Sequence, residues 1–439
     1  MKKILPIIAL ILITFTGCSY AQTGIEQLLT PPMLSKEQTS IYSALESKKG
    51  KNIKLKYPKN GDNTSAYLLY NLDEEETNEA IVFYENLNTA INTFTINIGV
   101  FDQQNGTWIL TYTTPIEASE VYKVSFTKTN NKTYIVICFN QLSNNEKVIK
   151  VYNYTTGKLN EISSIKCNNY EVFDLDGDDV SDIITMSSKS TTTLNKVTNA
   201  IAYKISDNGV IAVSETLLDP SVTEYANIYG GKIKSGIPAL YVDGIKETTN
   251  MITEILTLQN KQLENLVYSP SEELNLVPKT MRISGSHCLD IGNDNIYEIP
   301  NVKPALGYES SEKNNMVAIT DWYYYDNSDF KLRSSSYVDY KLGYIFEFPD
   351  KWKDVVTIQK NAQENEILFY VSNQGYFSSD NILLSIKVLQ SNNILSKLGS
   401  EDYRVLSDNG QLQYLYKLYD IDNYLSLSEE ELRHLFKLL

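Results

Sequence analysis

The chain has 439 residues, a formal net charge of −15 and 42% hydrophobic residues. Its length suffices for more than one domain, and its apolar fraction excludes a disordered chain. The acidic balance, with no long basic run, excludes nucleic acid as a partner; acidic cell-surface polymers would also be repelled unless a divalent cation bridged the two.

The first residues read as an export signal. Lys2 and Lys3 give a positive start, and Ile4 to Thr16 an apolar core too short to span a bilayer. Phe15-Thr16-Gly17-Cys18 resembles a bacterial lipobox. That resemblance implies that residues 1–18 are a lipoprotein signal peptide, that Cys18 is lipidated, and that the chain is tethered outside the cytoplasm to a bacterial membrane. The alternative is cleavage near Ala21 to give a free secreted protein. Residues 19–56 follow as a tether and a short helix: Ser35 and Gln38 form a capping box, Lys36 to Lys48 read as helix, and Gly50 ends it.

From about residue 57 to 337 the pattern has period two and is rich in Tyr, Val, Ile and Thr. Hairpin turns are expected at Asn105-Gly106, Thr156-Gly157, Asn208-Gly209, Asn260-Lys261 and Asp326-Asn327. Successive turns lie 51, 52, 52 and 66 residues apart, the last interval holding an insertion near Gly307 to Asn315. Three acidic stretches keep step with them: Asn71, Asp174 and Asp290 precede a turn by 35, 35 and 37 residues. A period of about fifty residues with several strands per unit predicts a β-propeller-like array of about five blades. The runner-up is an open or partial propeller, or a pair of β-sandwiches.

The most acidic stretch is Asp174-Leu175-Asp176-Gly177-Asp178-Asp179-Val180-Ser181-Asp182. So many like charges in so short a span repel one another unless a cation lies between them. Hard cations such as Ca²⁺ take six to eight oxygens, which Asp174, Asp176, Asp178, Asp182 and the Val180 carbonyl are placed to offer. The stretch resembles the calcium loop of FG-GAP/VCBS-type β-propellers, close to D-x-D-x-D-G-x-x-D, with Asp179 where that pattern has Gly. The resemblance implies a structural Ca²⁺. Asn71, Asp73, Glu75 and Glu79 stand at the corresponding positions of a second loop, and Asp290, Asp294 and Glu298 of a third, where Gly292 removes one side chain. An EF-hand is excluded, since its twelfth position here is Thr185.

Residues 338–439 change character. Gly343 to Trp352 resembles the opening hairpin of PsbP-like domains, which implies a small α/β domain behind the array. Strands are expected at Val355 to Gln359, Glu366 to Val371, Leu383 to Leu389 and Gln413 to Leu418, with a helix from Glu429 to Lys437 capped by Ser428 and Glu431. Asp420 to Asn423 reads as a polar turn entering that helix. The fold class is therefore mainly β, a propeller-like array followed by a PsbP-like α/β domain.

Cys138, Cys167 and Cys288 cannot all pair within one chain and read as free, mostly buried thiols. Only His287 and His434 are present, and no G-x-S-x-G, H-E-x-x-H or phosphate-cradling glycine loop occurs. Trp108 and the run Trp322 to Tyr325 fill gaps between sheets, or else form a sugar- or protein-binding surface. The expected function is non-catalytic: a membrane-anchored, calcium-stabilised binding or assembly module with a protein or glycan ligand. The competing readings are an envelope enzyme acting on glycan or peptidoglycan, and a solute-sensing partner of a membrane complex.

Overall fold

The computed structural model describes residues 34–87, 94–129, 132–142, 146–190, 196–206, 209–309, 317–372, 381–390, 402–419 and 424–439. The signal, Cys18 and most of the tether lie outside these, as do Asn130, Asn131, Asn208, most of the expected insertion and Asp420 to Asn423. Two compact units divide the chain. One comprises residues up to Tyr57, 65–116 and 156–158; the other comprises 58–64, 117–155 and 159–439.

The first unit opens with helix α1 (Lys36–Lys49). The Ser35 hydroxyl accepts from the Gln38 amide, the Gln38 side chain accepts from the Ser35 amide, and Gly50 ends the helix at φ +81°. Ile41 and Leu45, four residues apart on one face, are fully buried against the first sheet. That sheet comprises β1 (Ile53–Lys56), β2 (Tyr67–Tyr70), β3 (Glu79–Asn86), β4 (Thr95–Gln104) and β5 (Thr107–Glu117). β1 and β2 lie end to end along one edge of β3, and β4 and β5 follow in order on the other.

The second unit holds five further antiparallel sheets. The second sheet is β6 (Glu120–Thr129), β7 (Lys132–Asn140), β8 (Lys147–Thr155) and β9 (Lys158–Cys167). The third is β10 (Asn169–Phe173), β11 (Asp182–Ser190), β12 (Lys196–Ser206) and β13 (Gly209–Leu218). The fourth is β14 (Val222–Lys232), β15 (Pro238–Lys246), β16 (Asn250–Gln259) and β17 (Gln262–Asn265), with β18 (Arg282–Ile283) beside β16. The fifth is β19 (Ile299–Pro304), β20 (Ala318–Asp326), β21 (Asp329–Asp339) and β22 (Tyr344–Glu347). The sixth is β23 (Val356–Asn361), β24 (Glu366–Val371), β25 (Ile382–Gln390), β26 (Arg404–Asp408) and β27 (Leu412–Leu418); only β26 was not expected. Helix α2 (Glu429–Leu435), with its capping box made, leads into β28 (Phe436–Leu438). The fold is mainly β, and its sheets are open rather than closed into barrels.

Turn chemistry explains the hairpins. Asn105 and Gly106, Thr156 and Gly157, and Asn260 and Lys261 all have positive φ at both central positions, as two-residue turns that match strand twist require. In the fifth sheet the pair is Asn327 and Ser328 (φ +47° and +71°), one residue beyond the expected Asp326-Asn327, because Asp326 pairs with Asp329 as the last rung of the ladder.

Apolar contact runs from sheet to sheet. Val136, Cys138 and Val151 of the second sheet meet Tyr170 and Ile183 of the third. Ile184, Met186 and Ala202 of the third meet Leu240, Val242 and Leu256 of the fourth. Tyr241 and Ile252 of the fourth meet Ile299 and Tyr325 of the fifth, and Phe346 of the fifth meets Ile358 and Phe369 of the sixth. Inner strands such as β7 and β16 are accordingly buried on both faces.

The region beyond residue 338 differs from expectation in one respect. Gly343 to Trp352 does not open a hairpin of the last sheet. β22 pairs with β21 on one side and with β28 on the other, so the fifth sheet runs across residue 338 and takes in the end of the chain. Trp352 does pack back as expected: it is fully buried against Phe346 and Phe369 and donates from Nε1 to the Leu425 carbonyl at 2.7 Å. Among the described residues no helix is long and apolar enough to cross a membrane.

Candidate metal loops

All three acidic stretches fall at the same place in their sheets, just before the strand that starts at Glu79, Asp182 or Ile299. In the fifth sheet the strand preceding the loop is reduced to a single bridge, Leu289 to Glu298. The loops at 174–182 and 290–298 are near copies. The fourth and sixth positions have positive φ in both: Gly177 (+75°) and Asp179 (+64°), Asn293 (+51°) and Asn295 (+61°). Asp and Asn are among the residues that tolerate this left-handed region, which explains why Asp179 serves where the resembled pattern has Gly.

The hydrogen bonds repeat as well. Asp174 Oδ1 accepts from the Gly177 and Asp178 amides at 2.8 and 3.1 Å, and its Oδ2 from the Asp179 amide at 2.8 Å. Asp290 accepts from Asp294 and Asn295 at 3.0 and 2.8 Å. The fifth-position carboxylates, Asp178 and Asp294, accept from the Val180 and Ile296 amides at 3.0 and 3.2 Å. Val180 thus contributes its amide to the loop. The ninth-position acids, Asp182 and Glu298, are fully buried and accept from the Leu175 and Ile291 amides at 3.1 and 2.9 Å.

The remaining oxygens face cations from within the chain. Lys204 of β12 lies one step along the register from the Tyr203–Ile183 pair, beside Asp182. Its Nζ is 2.7 Å from Asp176 Oδ1, 2.8 Å from Asp178 Oδ2 and 3.0 Å from Asp182 Oδ1. Burial alone would lower the Lys204 pKa, but hydrogen bonds to Asp176 and Asp178 and the nearby Asp182 carboxylate reverse this and raise it above the usual lysine value. Burial pushes the Asp182 carboxyl up to about 6 against the pull of Lys204. Both shifts agree with one charge state, a charged lysine held by Asp176 and Asp178 whether or not Asp182 takes a proton.

In the fifth sheet Tyr324 holds the register place of Lys204, and the cation comes from another strand. Trp322 pairs with Ser334 and Tyr323 with Leu332, leaving Arg333 as a bulge residue whose side chain is re-aimed. Arg333 Nη1 donates to Glu298 Oε1 at 2.7 Å and to Asp294 Oδ2 at 3.2 Å. A Cβ on Gly292 would lie 1.7 Å from Arg333 Nη2, so any side chain at the third position requires the guanidinium to move from where it sits.

These sites can be tested against calcium. Asp174, Asp176 and Asp182 are the group of three acids among the described residues whose oxygens gather within 4.8 Å. Yet the acids turn toward a nitrogen with three protons to donate, at hydrogen-bond distances, whereas calcium takes six to eight oxygens at about 2.3–2.6 Å. As they stand, the loops at 174–182 and 290–298 fit an ammonium and a guanidinium.

The loop at 71–79 is built differently. Glu74 alone has positive φ, Asn71 Oδ1 accepts from its amide at 2.6 Å, and Asp73 Oδ1 accepts from the Glu75 amide at 3.2 Å. Glu79 is 1% exposed; its Oε2 accepts from the Leu72 amide at 2.6 Å, matching Asp182 and Glu298. Its Oε1 is buried with no hydrogen-bond partner among the described residues. Phe101 pairs with Ala80, so Asp102 takes the register place that Lys204 holds in the third sheet. Burial pushes the Glu79 carboxyl up to about 7, with Asp73 and Asp102 adding to the rise.

Sequence reasoning missed Lys204, Arg333 and Asp102. They lie in β12, β21 and β4, and only the strand register brings Lys204 beside Asp182 and Asp102 beside Glu79, so no local sequence signal marks them. It also missed two buried networks in the fourth sheet. Asp243 Oδ1 accepts from Arg282 Nη2 at 2.6 Å and from the Thr253 hydroxyl at 2.6 Å, with Cys288 Sγ at 3.3 Å. Glu254, fully buried, accepts from the Asp219 amide at 2.9 Å and from Asn265 Nδ2 at 2.7 Å. The thiols of Cys138, Cys167 and Cys288 are free and buried as expected, and burial raises the pKa of each. His287 lies outside the strands, half-exposed, with Nδ1 2.8 Å from Asn227 Nδ2 and 4.0 Å from Asp243 Oδ2. Trp322 is fully buried and donates to the Ser336 hydroxyl, and Trp108 is 7% exposed, so neither offers a face for sugar stacking.

No protein-family model matches the chain, and no curated protein matches it. Among solved structures it is similar to the Bacillus licheniformis rhamnogalacturonan lyase PL11, at 11% identity and a TM-score of 0.31 over 68% of each chain. It is similar to Saccharomyces cerevisiae Sqt1, at 9% identity and 0.31 over 74% of this chain and 92% of the other. It is also similar to the exotype rhamnogalacturonan lyase YesX, at 9% identity and 0.30 over 79% and 82%.

Removing Arg333 strands the buried Glu298 carboxylate. Arg333→Met is expected to cost about 3–5 kcal/mol in denaturant unfolding, and adding Glu298→Gln to recover most of that. A second prediction concerns pH. Burial raises the Glu254 carboxyl to about 7, against the pull of the Asp219 amide and Asn265. The folded state therefore keeps a proton that the unfolded state releases near 4.5. Its contribution is fully present below that value and is lost as pH rises through 7. Glu254→Gln is expected to flatten the fall in melting temperature between pH 5 and 8, as followed by circular dichroism.

Proposed function

We propose that the protein is a lipid-anchored, extracytoplasmic scaffold that binds or assembles with a partner and performs no catalysis. The supporting observation is how its acids are used. Both oxygens of Asp174 and Asp290 take loop amides, and the acids that follow hold Lys204 or Arg333. The carboxylate pairs that could serve a hydrolase are thus committed to fixing one strand against the next. The finer fold reading is that the five repeated sheets are propeller blades with a small PsbP-like domain behind them; the recurring loop, turn and packing of successive sheets support the blades. Anchoring rests on the lipobox-like Phe15-Thr16-Gly17-Cys18.

The enzyme reading has one observation in its favour, the half-exposed His287 ring beside Asn227 with the buried Asp243 behind it. One experiment separates the two readings. Wild type should sediment with membranes and retain a co-purifying partner in detergent, and Cys18→Ala should move the protein to the soluble fraction. Turnover of peptidoglycan or glycan fragments that disappears in His287→Ala would favour the enzyme instead.

A structural divalent cation is proposed for the loop at 71–79 alone. Glu79 would hold it through the oxygen that has no hydrogen-bond partner among the described residues, with Asp73, Asn71 and Asp102 supplying others; its chemistry there would be charge neutralisation. Glu75 gives its carbonyl to Asn71 Nδ2 at 2.5 Å. Chelation is then expected to lower the melting temperature of wild type, and Glu79→Gln or Asp102→Asn to abolish that response while Asp176→Ala leaves it in place. An identical melting curve with and without chelator would remove the metal from this account.

A further inference from the structure

We infer that Lys204 and Arg333 are resident counter-ions: side chains that occupy the cation position of their loops permanently and leave those loops independent of calcium. The inference concerns loops other than the one assigned a cation above, and stands whether or not that assignment holds.

Three observations carry it. The first is occupancy. The Lys204 ammonium donates to Asp176 Oδ1 and Asp178 Oδ2 at 2.7 and 2.8 Å, and its charge lies 3.0 Å from Asp182 Oδ1, a buried oxygen with no hydrogen bond among the described residues. The second is compensation within one chain. Where the cation is an ammonium, the third loop position is Asp176; where it is the bulkier guanidinium, that position is Gly292, and a Cβ there would collide with Arg333. Acid number and cation size change together, although the two backbones share their positive-φ positions and their amide bonds. The third is provenance. Lys204 comes from β12, by its ladder register, and Arg333 from a bulge in β21, so the place demands a cation and different strands supply it. The demand is electrostatic: Asp182 and Glu298 are each fully buried, and a buried carboxylate without a partner is costly.

A consequence distinguishes this arrangement from an ordinary salt bridge. Removing Lys204 leaves Asp174, Asp176 and Asp182 with oxygens already gathered within 4.8 Å and no cation among them. Lys204→Met, similar in length and uncharged, should therefore convert the loop into a divalent-cation site.

Hydrogen exchange of the full-length chain, read by mass spectrometry on the peptide covering 174–182, tests this in calcium and in chelator. Wild type should exchange identically in both. K204M should exchange about tenfold faster or more in chelator, and calcium should return it toward the wild-type rate. The peptide covering 290–298 should likewise ignore calcium in wild type and loosen in R333M. Faster exchange of either wild-type peptide on chelation would overturn the inference, and this arm needs no variant to fold. So would a K204M loop as protected in chelator as wild type, or one that calcium does not restore. The peptide covering 71–79, read in the same samples, reports separately on the loop assigned a cation above.

Discussion

A carboxylate taken out of water at the start of an inner strand is the constraint around which the repeated sheets are built. Glu79, Asp182 and Glu298 occupy equivalent positions, each at most 1% exposed, and each gives one oxygen to the amide seven residues earlier. That bond closes the loop. The second oxygen must then be answered, because an unpaired buried charge costs more than the loop returns. The third sheet answers with lysine and the fifth with arginine. In the first, Asp102 sits where the lysine would be, and the oxygen has no partner among the described residues.

The answering groups also couple the loop to the rest of its sheet. Lys204 ties the loop before β11 to β12, the strand that pairs with β11, and Arg333 ties the loop before β19 to β21, two strands away in the same sheet. The 290–298 loop is held further by Lys437 of β28, which donates to the Ile291 carbonyl at 2.5 Å and to Glu347. It also reaches the fourth sheet, where the Lys232 amide donates to the Asn295 carbonyl at 2.8 Å. Gly231 lies too close to that oxygen, at 2.5 Å from its Cβ position, to carry a side chain. The loop that resembles a calcium site is therefore a junction between the chain's end, its fourth sheet and its fifth.

Much of this was legible before any coordinates. Local chemistry carried both capping boxes and the positive-φ hairpin pairs, because each depends on residues within a few positions of one another, and the phase of the acidic stretches showed as a repeated spacing. What escaped depends on pairing between distant segments. Nothing around Lys204 marks it as the partner of Asp176, since the contact exists only once β11 and β12 are in register. The pairing of β22 with β28 joins residues about ninety apart and moved Gly343 to Trp352 out of the last sheet. The stretch at 174–182 was also read as the foremost candidate for calcium, ahead of 290–298 and then 71–79. Their acids are alike, and the difference lies in the cation or acid brought by the neighbouring strand.

The most direct measurement is a high-resolution crystal structure grown in calcium, with anomalous data. The account predicts Lys204 Nζ among Asp176, Asp178 and Asp182 at hydrogen-bond distances, with no anomalous peak in the loop at 174–182. An anomalous peak there, ringed by six or more oxygens at about 2.3–2.6 Å with Lys204 turned away, would contradict it.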